Sequence, residues 1–356
     1  MAGEGSARAA GRRLGVGIVG NGMATRVFHA PYIAACDALE LRAVVARSEG
    51  AQPPLPGVAL VRDAEALIAD PAIDLVVIAT PSASHAALAT RALEAGKHVV
   101  VEKPFALDLA ETRALIALAH ERTRVLTAFH NRRRDADFLG VRAAIEEGQV
   151  GRVVHFESHF DRFRPHVRER WREDGSAGSG IWYDLGPHLV DQALVLFGAP
   201  ESVDADIAAL RDDGRASDWA HVVLRYAQMR VVLHAGMCVA GGEPRFRVHG
   251  TGGSLVKFGL DPQEGQSVAG LRPGAREWGL DGEALHLYAG EGEHREIALP
   301  RGSQEHFYAQ VAQACLGEAQ PAVATREIEL VQAVIEAAML SSAQGRRVTL
   351  AEVLGA

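Results

Sequence analysis

The stretch LGVGIVGNGMATRVFHAP, residues 14–31, decides the fold of this chain. Leu14 to Val19 has the length and composition of a buried strand. Gly20, Asn21 and Gly22 follow at once, and a helical pattern runs from about Met23 to Cys36. In that context a paired-glycine turn has physical meaning. The first glycine permits the tight turn, and the second lets a pyrophosphate approach the backbone. The helix N-terminus then offers free N–H groups and a favourable dipole to the anion. The third glycine position holds Thr25, a departure expected to loosen helix–strand packing without removing the anion site. Gly20, Asn21, Gly22, Met23 and Ala24 are therefore candidate dinucleotide contacts.

The same alternation continues outward. Leu41 to Ala46, Leu75 to Ala79, His98 to Val101 and Val125 to Ala128 are further apolar runs of strand length. Between them, helical patterns cover Asp63 to Ala69, Ser84 to Ala95 and Asp108 to Glu121, with Ser84 placed as an N-cap and Gly96 as a C-terminal stop. Strands alternating with helices imply right-handed crossovers and a parallel sheet covered on both faces. Beyond about Asn131 the pattern changes. A helix over Asp135 to Glu147 gives way to runs of two-residue alternation: Val153–Arg162, Ser202–Leu210, His221–Tyr226, Arg230–Val239 and Arg245–Val248. Ala227-Gln228-Met229 and Gly250-Thr251-Gly252-Gly253 suggest hairpins. The fold class expected is α/β. Residues 14–131 form a Rossmann, doubly wound parallel sheet, and residues 132–356 an α+β domain with a mainly antiparallel open sheet. Helices near Gln304–Leu316 and Arg326–Ser342 close the chain and are free to pack back on the first domain.

Composition narrows the function classes. At 356 residues the chain suits two domains, and 48% hydrophobic with 23% charged residues is ordinary for a soluble globular protein. A formal net charge of −8, with no basic run, argues against nucleic acid as a partner. No apolar run reaches the roughly 20 residues of a membrane span. Residues 1–13 are small and polar and are expected to form a disordered tail rather than a secretory signal. A cytoplasmic setting follows. Cys36, Cys238 and Cys315 fit no zinc or redox spacing and are expected as buried thiols.

Three further places carry chemistry. Asp184 and His188 stand four apart where a Gly186-Pro187 step opens a helix, so they share a face and can address one small molecule. Lys103 follows the fourth strand, and in an open parallel sheet ligands bind beyond the strands' carboxyl ends. The second strand ends in Ala46-Arg47-Ser48, with no acid for a ribose 2′-hydroxyl but a guanidinium suited to a 2′-phosphate. NADP is therefore the expected cofactor, with NAD the alternative. His188 and Asp191 lack a third ligand of suitable type, so no metal site is expected. The Asp174–Gly180 loop lacks a phosphate-loop ending and is read as an edge of the substrate cleft.

With FHAPYI (28–33), TPSASH (80–85), EKPFALD (102–108), FHNRRRDADF (129–138) and WYDLGPHLVDQAL (182–194), the chain resembles the glucose–fructose oxidoreductase/inositol dehydrogenase (Gfo/Idh/MocA) family from Leu14 onward. Within it the resemblance is nearest the NADP-dependent scyllo-inositol dehydrogenases. It implies Lys103, Asp184 and His188 as the catalytic trio. It further implies Thr80, Pro81, His85, Glu102 and Lys103 on the cofactor side, beside Arg47 and Ser48. Asn131, Arg132, Arg164 and Trp171 are expected at the substrate end. The implied reaction moves a hydride between a nicotinamide and a secondary alcohol or ketone of a cyclic polyol or sugar. The implied assembly is a homodimer or homotetramer formed sheet to sheet. The alternatives are a glycoside-cleaving or other carbonyl-reducing enzyme on the same scaffold, or a non-catalytic dinucleotide sensor.

Overall fold

In a computed structural model, which describes residues 12–290 and 292–355, the short apolar runs are strands of one parallel sheet. These are β1 (Leu14–Val19), β2 (Leu39–Val45), β3 (Ala59–Val61), β4 (Leu75–Ile78), β5 (His98–Val101) and β6 (Leu126–Ala128). Their spatial order is β3-β2-β1-β4-β5-β6, the doubly wound order. All four residues of β4 are completely buried, as both faces of a parallel sheet require. Each such aliphatic side chain contributes about 1.5–3 kcal/mol on leaving water. The crossovers are α1 (Ala30–Ala34), α2 (Ala64–Ala69), α3 (His85–Glu94) and α4 (Leu109–Glu121). Asp63 and Asp108 cap α2 and α4, accepting from the backbone N–H of Ala66 and Glu111, each worth about 1 kcal/mol.

The second domain begins with α5 (Ala136–Glu146) and β7 (Val153–Asp161), followed by α6 (Ile181–Phe197). Next come β8 (Ser202–Ala208), β9 (Trp219–Tyr226), β10 (Met229–Gly236), β11 (Phe246–Gly250) and β12 (Gly253–Lys257). Then follow α7 (Gln263–Val268), β13 (Leu285–Ala289), β14 (Glu293–Ile297), α8 (His306–Cys315), α9 (Thr325–Gln344), β15 (Val348–Thr349) and α10 (Leu350–Leu354). Nine strands order as β14-β13-β12-β11-β7-β10-β9-β8-β15, antiparallel except for the β7–β10 pair. One face packs on α6 and α9, and the other is open. Helix α8 places Phe307, Tyr308 and Val311 in the core of the first sheet, and α9 packs against β6 and α4 as well as α6 and β8.

Several local expectations are corrected. Of the expected tail, residues 1–13, residues 1–11 lie outside the described residues, but Arg12 belongs to the fold: it donates twice to the Asp74 carboxylate at 3.0 Å. Strand β3 escaped the pattern because it is a three-residue edge strand with exposed side chains. Thr25 does not loosen the first helix. It is fully buried and its hydroxyl donates to the Gly20 carbonyl at 2.8 Å, while Thr25–His29 widens to a π-helical turn. Ser84 stands at the N-cap position of α3, as expected, but its side chain makes no capping bond to the helix; its hydroxyl donates to Thr80 Oγ1 and the Pro81 carbonyl, closing a 3₁₀ turn. Helix α6 starts at Ile181, so Gly186-Pro187 lies inside it rather than at its mouth. Cys238 is exposed, and Cys36 and Cys315 are only partly buried.

Candidate active site

A cleft of about 990 Å³ runs from the glycine turn to α6. At its cofactor end Gly20 has φ +115°, and a Cβ there would fall 2.3 Å from the Ala79 carbonyl oxygen, so only glycine lets β1 and β4 close up behind the turn. Gly22 meets nothing within 4 Å and leaves open the space a pyrophosphate needs. Asn21, Met23, Ala24, Thr80 and Pro81 border the same space. The sequence and fold thus fit a dinucleotide on an observation of the turn itself. Arg47 and Ser48 are exposed at the end of β2 and line the cleft. Behind them Arg62 Nη1 donates to the carbonyls of Arg47 and Ser48 at 3.0 and 2.8 Å, fixing that loop.

The chemical end is built by β5 and α6. Gly180, at φ +93°, opens α6 where a Cβ would strike Ser217 Oγ at 2.4 Å. The helix then presents Asp184 and His188 one turn apart. Lys103 Nζ, just beyond β5, donates to the Asp184 carbonyl at 2.6 Å and to its carboxylate at 3.1 Å. Arg172 Nε lies 3.2 Å and Arg162 Nη1 3.7 Å from the same carboxylate. Burial opposes ionisation of Asp184, but Lys103, then Arg172 and Arg162, outweigh it and hold the carboxyl well below its usual range. His188 is buried, and its Nδ1 has no partner among the described residues. Burial first, then the cations Lys103 and Arg132, push its pKa well below the ordinary imidazole value. Its surroundings thus favour the neutral imidazole.

Not every candidate reaches the cleft. His85 is turned away: its ring is buried, with Nδ1 2.8 Å from the Pro104 carbonyl and Nε2 2.9 Å from that of Thr80. It therefore joins the Thr80 turn to the Lys103 loop and does not line the cleft. Glu102 borders the cleft, yet its carboxylate is held by His29 Nε2 at 3.0 Å and the Lys103 N–H at 2.9 Å. His29 in turn meets Tyr308 at 2.7 Å, a packing role. At the substrate end lie Asn131, Arg132, Arg164 and Trp171, together with Arg162, Arg168, Arg170 and Arg172. Arg172 stacks 4.5 Å over the Trp171 ring. Asp191, one turn beyond His188, is committed to Arg133 through a bidentate pair at 2.7–3.1 Å. Ser82, Ala83 and Glu264 also line the cleft and were not singled out from the sequence. Glu264 arrives on α7, far along the chain, to meet Arg132 at 2.6 Å, and no local motif announces it.

A parallel sheet with a phosphate turn at its carboxyl end, opening onto an ion-paired lysine and a buried histidine, defines the two-domain dinucleotide-dependent oxidoreductases. Comparison with known proteins narrows the class. Residues 14–130 match the NAD-binding Rossmann fold and residues 142–350 the C-terminal alpha/beta domain of the Gfo/Idh/MocA oxidoreductases, and the chain belongs to that family. Over 332 residues it is 46% identical to YdgJ, an uncharacterised oxidoreductase of Escherichia coli K12, covering 91% of this chain and 96% of that one. It is 34% identical over 342 residues to IolW of Bacillus subtilis, an NADP⁺-dependent scyllo-inositol 2-dehydrogenase, covering 94% and 95%. A solved structure from Yersinia pestis, 41% identical, superposes with a TM-score of 0.90 over 96% of this chain and 99% of that one. Among the described residues, no helix is long and apolar enough to cross a membrane.

Proposed function

We propose that the protein is an NADP-dependent dehydrogenase that oxidises a secondary alcohol of a cyclic polyol or sugar, an inositol in particular, and reduces the matching ketone. The observation that carries this reading is the convergence of Lys103, Asp184 and His188 at the inner end of a cleft whose outer end is the glycine turn. When bound, the nicotinamide supplies the acceptor or donor of hydride. His188, held neutral by burial, takes the hydroxyl proton as the alcohol is oxidised. Lys103 donates to the same substrate oxygen and stabilises the charge developing there. Asp184 holds the ammonium in place and offsets its charge. In the reverse direction His188 in its protonated form returns the proton to the carbonyl oxygen.

Arg47 is the reason for preferring NADP, since no acid stands at the end of β2 to hold a ribose 2′-hydroxyl. The relative IolW, which uses NADP⁺, supports the same choice. The reading includes a homodimer or homotetramer that covers the open face of the second sheet. A cytoplasmic setting, which the free thiols of Cys36, Cys238 and Cys315 suit, is also part of it. The test is a spectrophotometric screen of inositols and sugars with NADP and NAD separately. Turnover of an inositol with NADP is the expected result. Tight dinucleotide binding without turnover of any polyol would replace the enzyme by a sensor.

A further inference from the structure

The open face of the second sheet carries a cluster that the hydride chemistry does not use. Strand alternation sends Phe156, Ser158 and Phe160 of β7 into the core and Glu157, His159 and Asp161 to the other face. Parallel pairing with β10 then sets His234 beside His159 and Gly236 beside Asp161. The Asp161 carboxylate stands between the two imidazoles, one oxygen 3.2 Å from His159 Nδ1 and the other 3.4 Å from His234 Nε2. One ligating atom from each of the three residues lies within 4.8 Å of the other two. The Asp161 and His234 side chains are only 5% and 8% exposed. Asp161 Oδ1 and His234 Nδ1 make no hydrogen bond among the described residues. A buried carboxylate oxygen left in that state is costly.

We propose that His159, Asp161 and His234 bind a divalent transition-metal ion of the zinc class. Tetrahedral bonds of about 2.0–2.1 Å put ligand atoms about 3.3 Å apart; each ring stands at 3.2–3.4 Å from one of the two Asp161 oxygens, and the ligating atoms lie within 4.8 Å of one another. Space is available because position 236 is glycine: a Cβ there would stand 3.3 Å from His234 Nε2 and 3.4 Å from Asp161 Oδ1. The support around the ligands also fits. His159 Nε2 lies 3.2 Å from Glu157 Oε2, which Arg247 holds at 3.0 Å, giving the carboxylate–histidine–metal order that orients such ligands. Trp219 packs edge-on at 4.5 Å and fixes the His234 ring. Two imidazoles and a carboxylate leave the fourth position to water, and the ion braces β7 against β10, the one parallel pair of this sheet among the described residues. The expectation of no metal weighed only His188 and Asp191; the sequence shows His159 and Asp161 two residues apart but gives no sign that His234 joins them.

The test uses the full chain, stripped with chelator and titrated with Zn²⁺ against a chromophoric competitor, and with Co²⁺ read by its visible absorption. The expected result is one Zn²⁺ per chain, a four-coordinate Co²⁺ spectrum, and a higher melting temperature with metal. Asp161→Asn and His234→Gln should abolish stoichiometric binding, and Glu157→Gln should weaken it about 10–100-fold. NADP binding by each stripped variant checks that it is folded. Wild-type protein that retains no stoichiometric Zn²⁺, a six-coordinate Co²⁺ spectrum, or equal affinity in Asp161→Asn and His234→Gln overturns the site. Should Asp161→Asn not fold, the Co²⁺ spectrum of the wild type still decides the matter.

Discussion

The two sheets of this molecule treat their faces differently. In the parallel sheet every residue of β4 is buried, and the cleft lies beyond the strands' carboxyl ends. In the second sheet β7 alternates buried and half-buried residues, so one face is core and the other carries charged and imidazole side chains. Two-sided burial leaves chemistry only the ends of strands. One-sided burial frees a whole face for association or ligands.

The sharpest way to break this contrast is at the cleft. His188→Ala should lower turnover about 10²–10⁴-fold, the usual scale of general acid–base catalysis, with cofactor affinity unchanged because the glycine turn is elsewhere. Near-wild-type oxidation of a good polyol would make the histidine structural. Since its pKa is depressed, His188 stays an active base as pH falls and is lost only when pH drops through that lowered value. The acidic limb of kcat/KM should therefore lie below the ~6.5 of an ordinary imidazole. A limb at or above that value would show that the free enzyme does not shield the ring.

Next in size is a stability effect confined to the first sheet. Leu75→Ala, at a fully buried position of β4, should cost about 2–5 kcal/mol in denaturant unfolding. A loss under 1 kcal/mol would mean the two-sided core relaxes around the gap. Smaller still is the cofactor effect. Arg47→Ala should weaken NADP by about 1–3 kcal/mol while leaving NAD nearly unchanged; equal losses by calorimetry would remove Arg47 from the 2′-phosphate. Last, Val223→Arg on the open face of β9, where Val223 is half-buried, should shift sedimentation toward the monomer with little change in the unfolding of the first domain. An unchanged assembly would place the contact between copies elsewhere.

The same contrast explains what the sequence disclosed. Two-sided burial writes β1 and β4 as unbroken apolar runs, while β2, β5 and β6 are apolar runs interrupted only at Glu40, Arg42, His98 and Thr127, and the candidate turns sit at their ends in order. Lys103, Asp184 and His188 stood out because each lies in a short motif, Lys103 just past the end of β5 and the other two within the first turns of α6. The strands β12, β13 and β14 did not: β12 and β13 are five residues long and bury only two each, and β14 is almost wholly exposed and leaves no apolar signature. Contacts made by distant chain segments were equally silent. His85 belongs to a cleft-edge motif, but its ring direction depends on the Pro104 carbonyl. Glu264 and His234 acquire their neighbours only through folding.

Helix α8 gives the molecule a property of its own. Phe307, Tyr308 and Val311 wall the core of the first sheet, and Gln304 accepts from Tyr32 and Asn131 at 2.8 Å. The chain leaves the dinucleotide domain near residue 131 and returns to finish it some way before its end. A gene fragment stopping at that crossing would encode a sheet with one side unlined and a patch of aromatic rings in water. Cofactor binding is thus not a detachable module here: ribosomes must complete nearly the whole chain before the first domain can close.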